Sequence, residues 1–77
     1  MMPIYNINDR VALYDVVDPE LFITGRIGLL EPDNEEDIFW LYIISDRDID
    51  NIHTAPNGLM YCDIVEDSSY RLRPFNN

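Results

Sequence analysis

The segment Ile38–Ile44 constrains the fold more than any other feature, because seven apolar residues follow one another there without a charge. Such a run of aromatic and branched residues is typical of a strand that is apolar on both faces, and therefore of a central strand. The other apolar runs are similarly short and are separated by turn residues, whereas helical periodicity is absent over any useful length. The sequence therefore predicts an all-β domain. The five predicted strands are Arg10–Val16, Phe22–Leu30, Ile38–Ile44, Leu59–Val65 and Tyr70–Arg73.

Several residues in and between these strands are expected to bend or turn the chain. Gly25 and Gly28 lie inside the second strand, where glycine marks a bulge, a sharp bend or a close backbone approach. Small barrels need such bends in order to close. Pro56–Gly58 is a strong turn signal, and Asp67–Ser69 predicts one turn of 3₁₀-helix before the last strand. With 77 residues, the chain has room for one domain.

Three stretches of the chain resemble the SH3-like small barrels, in particular Tudor, Agenet and KOW-type domains. They are Asp9–Leu13, Thr24–Ile27 and Asp67–Pro74. In those families the first strand follows a polar turn, the second holds a glycine flanked by β-formers, and the last often reads leucine-arginine-proline. Asn8 stands where a KOW-type domain usually has glycine. The resemblance implies a single five-stranded SH3-like barrel over residues 1–77, with an ordered core of about residues 7–74 and a 3₁₀ turn before the last strand.

The charge balance is strongly acidic: fifteen carboxylates face five arginines and no lysine, which gives a formal net charge of −10. This balance excludes a simple nucleic-acid binder, since such proteins carry a basic face that displaces phosphate counterions. It also exceeds the charge of about 2 to 8 that a small domain needs for solubility, and the self-repulsion destabilises the compact state. We therefore expect a functional reason for the excess, against the plainer interpretation of an acidic proteome or of solubility alone.

Carboxylates held on a rigid barrel can imitate the phosphates of a duplex and block the basic groove of a nucleic-acid-binding protein. We therefore expect a protein partner with a basic surface, and no direct contact with nucleic acid. The sharper form of this hypothesis is an inhibitor encoded by a phage or mobile element. The acidic residues expected to contact the partner are Glu31, Asp33, Glu35, Glu36, Asp37, Asp46, Asp48 and Asp50.

Alternation along the third predicted strand puts Trp40 and Tyr42 on one face and Phe39 and Leu41 on the other. One face belongs to the core, while the other is either an exposed binding patch or a second small core, and the sequence leaves both open. Tudor-like barrels cage methylated lysine or arginine with aromatic rings. The resemblance therefore implies an alternative function as a peptide reader or adaptor that uses Trp40 and Tyr42. A third hypothesis is an accessory subunit that docks through the apolar strand face.

The residues that carry chemistry in other proteins form no reactive set in this sequence. His53 is the only histidine and Cys62 the only cysteine, which excludes an internal disulfide and supplies half a zinc site at most. Asp46–Asp50 begins like a calcium loop, but Asn51 and Asn57 occupy the positions where such a loop needs glycine and glutamate. We therefore expect no catalysis, no metal and no cofactor.

The arginines are expected to balance charge locally. Arg71 and Arg73 alternate on one face of the last predicted strand, where they are expected to pair with Asp63 or Glu66 across the sheet. Arg26 is expected to do likewise within the second strand. Such surface pairs contribute at most about 1 kcal/mol each.

The sequence shows no targeting or membrane segment. Met1–Leu13 lacks the basic start and apolar run of a signal peptide. No apolar stretch approaches the roughly 18 to 20 residues that cross a bilayer. We therefore expect a cytoplasmic protein without a membrane partner.

Overall fold

The computed structural model describes residues 2–47 and 52–76, and every regular element in this part of the chain is a β-strand. The prediction of an all-β domain is therefore confirmed. The strands are β1 (Arg10–Tyr14), β2 (Phe22–Asp33), β3 (Ile38–Ser45), β4 (His53–Thr54), β5 (Met60–Tyr61), β6 (Asp63–Glu66) and β7 (Leu72–Pro74). Within the described ranges, no helix has the length and apolar character to span a bilayer.

Five of the strands form one antiparallel sheet in the order β6-β3-β2-β1-β7, which is strongly curled into a half-barrel. β1, β2 and β3 pair in succession, and the last strand, β7, returns to pair with β1. β3 lies between β2 and β6, so Ile38–Ile44 belongs to an interior strand, although β2 is the middle strand of the five. β4 and β5 form a separate two-stranded hairpin.

The core lies on one face of this sheet, and each of its five strands contributes at least one fully packed side chain. The buried members are Val11, Leu13, Ile27, Leu41, Ile43, Val65 and Leu72. Burial of one such side chain contributes about 1.5 to 3 kcal/mol. The core therefore ties the two edge strands, β6 and β7, to the centre of the sheet.

Two glycines allow β2, which is twelve residues long, to bend around the core. Gly28 sits at a β-bulge, because the pairing of β2 with β3 is interrupted between Ile27 and Leu29. At Gly25 the backbones approach so closely that a Cβ atom would collide with the carbonyl oxygen of Ile44. The prediction that these glycines mark a bulge and a close backbone approach is therefore confirmed.

The first strand ends at Tyr14 rather than at the predicted Val16. The carboxylate of Asp15 accepts the N–H groups of Val17 and Asp18 at 2.8 and 3.0 Å. This local arrangement turns the chain out of the sheet, because the aspartate side chain replaces a neighbouring strand as hydrogen-bond partner. The alternation of apolar residues does not show that the Asp15 side chain competes with a neighbouring strand for these N–H groups.

The predicted strand Leu59–Val65 is divided at Cys62 into two strands of different sheets. β5 pairs with β4, which the sequence did not predict, whereas β6 pairs with β3. The predicted turn at Pro56–Gly58 is confirmed, since the N–H of Gly58 donates to the carbonyl of Ala55 at 2.9 Å. Gly58 has a φ of 89°, a left-handed conformation that glycine adopts without strain. The two-residue β4 forms because this turn brings β5 beside it.

The prediction of a 3₁₀ turn at Asp67–Ser69 is not confirmed. Two separate turns follow β6: the N–H of Ser69 donates to the carbonyl of Glu66 at 2.9 Å, and the N–H of Leu72 to the carbonyl of Ser69 at 3.4 Å. The hydroxyl of Ser69 also accepts the N–H of Arg71 at 3.1 Å. This serine therefore ends the first turn and starts the second.

Candidate functional site

The face of β3 that carries Tyr42 is covered by the hairpin of β4 and β5. Tyr42 is 6% exposed, and its ring packs edge-on against the ring of Tyr61 with the centroids 5.0 Å apart. His53 stacks on Tyr61 at 5.4 Å, and Ala55 is buried in the same hairpin. Of the two possibilities that the sequence left open, the structure shows a second small core around Tyr42.

The hydroxyl of Tyr42 reaches the edge of this second core and donates to Glu31 Oε2 at 3.1 Å. Burial, together with the bond to Glu31, raises the pKa of the Tyr42 phenol above its ordinary value. The phenol therefore stays neutral, and its hydroxyl remains a hydrogen-bond donor to Glu31. In this position Tyr42 orients a carboxylate and does not present its ring to a partner.

Trp40 lies in the middle of a row of acidic side chains that crosses three strands. The register pairs Glu31 of β2 with Trp40, and Trp40 with Glu66 of β6, so the three side chains share one face. The indole N–H of Trp40 donates to Asp33 Oδ2 at 3.2 Å. The half-buried indole also borders a shallow groove of about 260 Å³ that extends past Glu66 to Tyr70. The ring is therefore flanked by carboxylates on both neighbouring strands.

The turn between β2 and β3 extends this row into a cluster that we call the acidic end. Its members are Glu31, Asp33, Glu35, Glu36, Asp37 and Glu66. Asp33 accepts the N–H of Glu35 at 2.9 Å, and this bond, with the indole N–H of Trp40, holds the pKa of Asp33 below its ordinary value. Asp37 closes the turn with a φ of 55°. The turn is therefore held by its own hydrogen bonds, and Asp33 is charged at neutral pH.

No arginine neutralises the glutamates of the acidic end in the part of the chain that the structure describes. Arg10 pairs with Asp46 and Arg71 pairs with Asp63, and both of these ion pairs lie outside the acidic end. All four glutamates of the acidic end are exposed: Glu31, Glu35, Glu36 and Glu66. These four glutamates therefore form a surface of one charge sign.

The arginines balance charge only in part as predicted. Arg71 Nη2 donates to Asp63 Oδ2 at 2.8 Å, so this predicted pair is confirmed. Arg73 donates to the backbone carbonyls of Tyr70 and Leu72 at 2.6 and 2.9 Å rather than to a carboxylate. Arg26 Nη1 donates to Asn8 Oδ1 at 3.1 Å rather than to a carboxylate.

Asp46 lies at the other end of β3 and has a structural role. Its carboxylate accepts the guanidinium of Arg10 at 2.7 and 2.8 Å and the hydroxyl of Thr24 at 2.5 Å. These donors lower the pKa of Asp46 to about 2. Because β3 is eight residues, or about 26 Å, long, Asp46 is not brought together with the acidic end. Asp48 and Asp50 lie outside the described residues.

Glu66 belongs to the site although the sequence did not place it there. In the sequence it forms an acidic cluster with Asp63 and Asp67. The structure separates the three, because Asp63 pairs with Arg71, Asp67 is buried, and Glu66 stands beside Trp40. Alternation along β6 gives the face on which Glu66 lies, but only the register of β6 on β3 gives its neighbour.

The described residues contain no group of three or more histidine, cysteine, aspartate or glutamate side chains placed to hold a metal ion. Cys62 is half-buried and packs against the core. His53 is exposed and stacks on Tyr61. Cys62 therefore packs against the core of the sheet, whereas His53 lies on the exposed side of the hairpin of β4 and β5.

Comparison with known proteins identifies no family for this chain. No protein-family model, no curated protein and no solved structure matches it. The residues and their geometry are therefore the basis of the functional proposal.

Proposed function

We propose that the chain is a non-catalytic, SH3-like protein-binding module whose acidic end docks on a basic surface of a partner protein. The observation that carries this proposal is the set of exposed glutamates around Trp40, which no arginine of the described residues neutralises. The SH3-like identity is supported by the strand order β6-β3-β2-β1-β7, in which the last strand pairs with the first.

The carboxylates next to the rings are positioned before a partner arrives. Glu31 is held by the hydroxyl of Tyr42, and Asp33 by the indole of Trp40. Charges that are already oriented lose little side-chain entropy on binding, and they accelerate association with a surface of opposite charge. This supports docking over a role in solubility, for which scattered and flexible carboxylates are enough.

The spacing of the charges supports the sharper hypothesis that the acidic end imitates a nucleic acid. Glu31 and Asp33 are same-face neighbours along β2, about 6.7 Å apart. Glu31 and Glu66 flank Trp40 about 10 Å apart across the sheet. Such an array fits a protein surface that otherwise holds backbone phosphates. An inhibitor of a nucleic-acid-binding protein, of the kind that phages and mobile elements encode, is the form of this function that we favour.

A peptide reader is the second candidate, and it depends on Trp40. Tyr42 is 6% exposed, which leaves Trp40 as the accessible ring of the predicted pair. With Glu31 and Glu66 on either side, this indole suits a lysine or arginine side chain through charge and cation–π attraction. An accessory subunit that docks through the apolar strand face finds less support, because the hairpin of β4 and β5 already covers much of that face.

The test is a pull-down from the native host lysate with three versions of the full chain. They are the wild type, an acidic-end variant (Glu35→Gln, Glu36→Gln, Glu66→Gln) and a control variant (Asp9→Asn, Asp18→Asn, Glu20→Gln). The control removes the same number of charges outside the acidic end. The glutamates changed in the acidic-end variant are exposed. In the control, asparagine keeps an oxygen that can accept the N–H groups that Asp9 and Asp18 bind, so we expect all three proteins to give the same circular dichroism spectrum.

We expect the wild type and the control to capture a nucleic-acid-binding protein at about 0.1 M salt and to release it at about 0.5 M. Screening at the higher concentration confines surface electrostatics to a few ångströms. The acidic-end variant should capture little of the same protein. A partner that the acidic-end variant retains, or that survives about 0.5 M salt, would contradict the proposal. Loss of capture in Trp40→Ala, with every charge intact, would favour the reader.

A further inference from the structure

A second surface, formed by the loop between β1 and β2, has a chemistry unlike that of the acidic end. Large apolar side chains are exposed there, with Val17 at 91% and Leu21 at 61%. Val16 of the same loop and Tyr70, which is 69% exposed, border one groove. Exposed apolar side chains that lie together mark interaction surfaces. This surface is therefore a candidate binding site that charge patterning alone does not reveal.

The groove between this loop and the turn before β7 has a volume of about 470 Å³. Its apolar wall consists of Tyr14, Val16, Pro19 and Tyr70. Arg71 and Arg73 form its basic wall. Two tyrosine rings and a proline offer flat, stiff contact area, which loses little conformational entropy when a ligand binds.

The loop that forms the groove is held by hydrogen bonds and by ring packing. Asp15 also lines the groove, but its Oδ1 accepts the N–H groups of Val17 and Asp18 at 2.8 and 3.0 Å. The ring of Tyr14 packs on Phe22 with the centroids 5.1 Å apart. The groove is therefore formed before a ligand binds. Asp15 keeps its negative charge, so the lining carries one carboxylate against two guanidinium groups.

The two arginines of the groove differ in how their charges are used. Arg71 pairs with Asp63 at 2.8 Å. Arg73 donates through Nη1 to the carbonyl oxygens of Tyr70 and Leu72 at 2.6 and 2.9 Å, and within residues 2–47 and 52–76 it makes no ion pair. Backbone carbonyls orient a guanidinium without neutralising it. Arg73 therefore presents a positive charge beside the apolar wall. Its remaining N–H groups can donate to a carboxylate of a ligand.

We propose that this groove binds an extended segment of a partner protein in which a carboxylate adjoins an apolar side chain. The carboxylate pairs with Arg73, and the apolar side chain lies between Tyr14 and Tyr70. Charge complementarity selects this occupant, because a lysine or arginine of the ligand would face Arg71 and Arg73, which outnumber the one carboxylate of the lining, Asp15. The net charge of −10 does not prevent its approach, since charges more than about 8 Å away are screened at physiological salt.

The groove shares Tyr70 and Arg71 with the shallow groove beside Trp40, but it requires a ligand opposite in charge to that of the acidic end. The acidic-end variant defined above removes negative charges only, so it does not weaken the binding of an acidic ligand to the groove. The inference stands whether or not the acidic end docks on a basic partner.

The test is the selection of a phage-displayed random-peptide library on the immobilised full chain at about 0.15 M salt. Selection on Arg73→Gln runs in parallel. Arg26→Gln is the matched control, because it removes the same charge from an exposed arginine of β2 outside the groove. Tyr70→Ser removes an exposed ring from the apolar wall, with folding checked by circular dichroism.

We expect the wild type to enrich peptides in which aspartate or glutamate adjoins an apolar residue. Their affinity should fall by about tenfold or more in Arg73→Gln, in Tyr70→Ser and on amidation of the peptide carboxylate, but not in Arg26→Gln. The proposal is overturned if the enriched peptides lack a carboxylate, as basic or proline-rich peptides would, or bind Arg73→Gln equally well. Self-association through the groove, or no enrichment over Arg73→Gln, overturns it as well.

Discussion

Replacement of Asp46 by asparagine should lower the free energy of unfolding by about 1 kcal/mol at neutral pH. Arg10 and Thr24 lower the pKa of Asp46 from 3.8 to about 2, which counted in full is worth about 2.5 kcal/mol. The side chains of Arg10 and Asp46 are 36% and 39% exposed, however, so water screens the pair and reduces its contribution to about 1 kcal/mol.

The contribution of Asp46 depends on pH with a defined sign. Its pKa in the folded chain lies below the ordinary value, so the stabilisation is complete above about pH 4 and is lost as the pH falls from 3.8 towards 2. The difference in unfolding free energy between the wild type and Asp46→Asn should shrink to nearly zero over that window. Protonation of the other carboxylates relieves the net charge of −10 in both proteins. Subtracting the unfolding free energy of Asp46→Asn from that of the wild type at each pH removes this shared effect.

The measurement is urea unfolding followed by the fluorescence of Trp40, the only tryptophan, at a series of pH values. Arg10→Gln and the double variant complete a double-mutant cycle, and Glu20→Gln is a control for the loss of one exposed charge. Equal stability of Asp46→Asn and the wild type at neutral pH would refute this reasoning. The reasoning would also be refuted if the wild type and Asp46→Asn still differed in unfolding free energy at about pH 2. Strictly additive effects of Asp46→Asn and Arg10→Gln in the cycle would refute it as well.

Three further substitutions test the packing of the sheet by thermal or urea unfolding. Gly25→Ala should destabilise the chain by about 3 kcal/mol, because the new Cβ meets the backbone carbonyl of Ile44, and a loss below about 1 kcal/mol would contradict that close approach. Gly58→Ala has open space around it but a φ of 89°, so we expect a smaller loss of about 1 kcal/mol. Leu41→Ala empties a fully buried position and should reduce stability by about 3 kcal/mol, whereas an unchanged midpoint would place Leu41 outside the core.

Much of the sheet could be predicted from the sequence because its signals are local. The apolar run Ile38–Ile44 identified an interior strand, and the glycines at 25 and 28 identified the bend in β2. The hairpin strand β4 could not be predicted, since His53 and Thr54 are polar and exposed and pair only because β5 lies beside them. The predicted 3₁₀ turn is not confirmed, because the hydroxyl and the carbonyl of Ser69 both start a new turn.

The candidate site was less predictable because it depends on register and on contacts between distant residues. Composition gave the number of carboxylates but not their partners. Asp46 was expected to face a partner, yet it is bound by Arg10, which lies 36 positions earlier in the chain. Glu66 joins the acidic end only through the register of β6 on Trp40. The sequence left open whether Tyr42 lies on an exposed patch or in a second small core, and the unpredicted hairpin covers it.

The salt dependence of one binding constant tests most directly whether the acidic end docks on a basic partner. We expect the affinity of the wild type for its captured partner to fall steeply between about 0.1 and 0.5 M salt. At about 0.1 M the acidic-end variant should bind about tenfold more weakly, and the two proteins should converge at about 0.5 M. An affinity that is independent of salt, and equal in the wild type and the acidic-end variant, would contradict docking by charge.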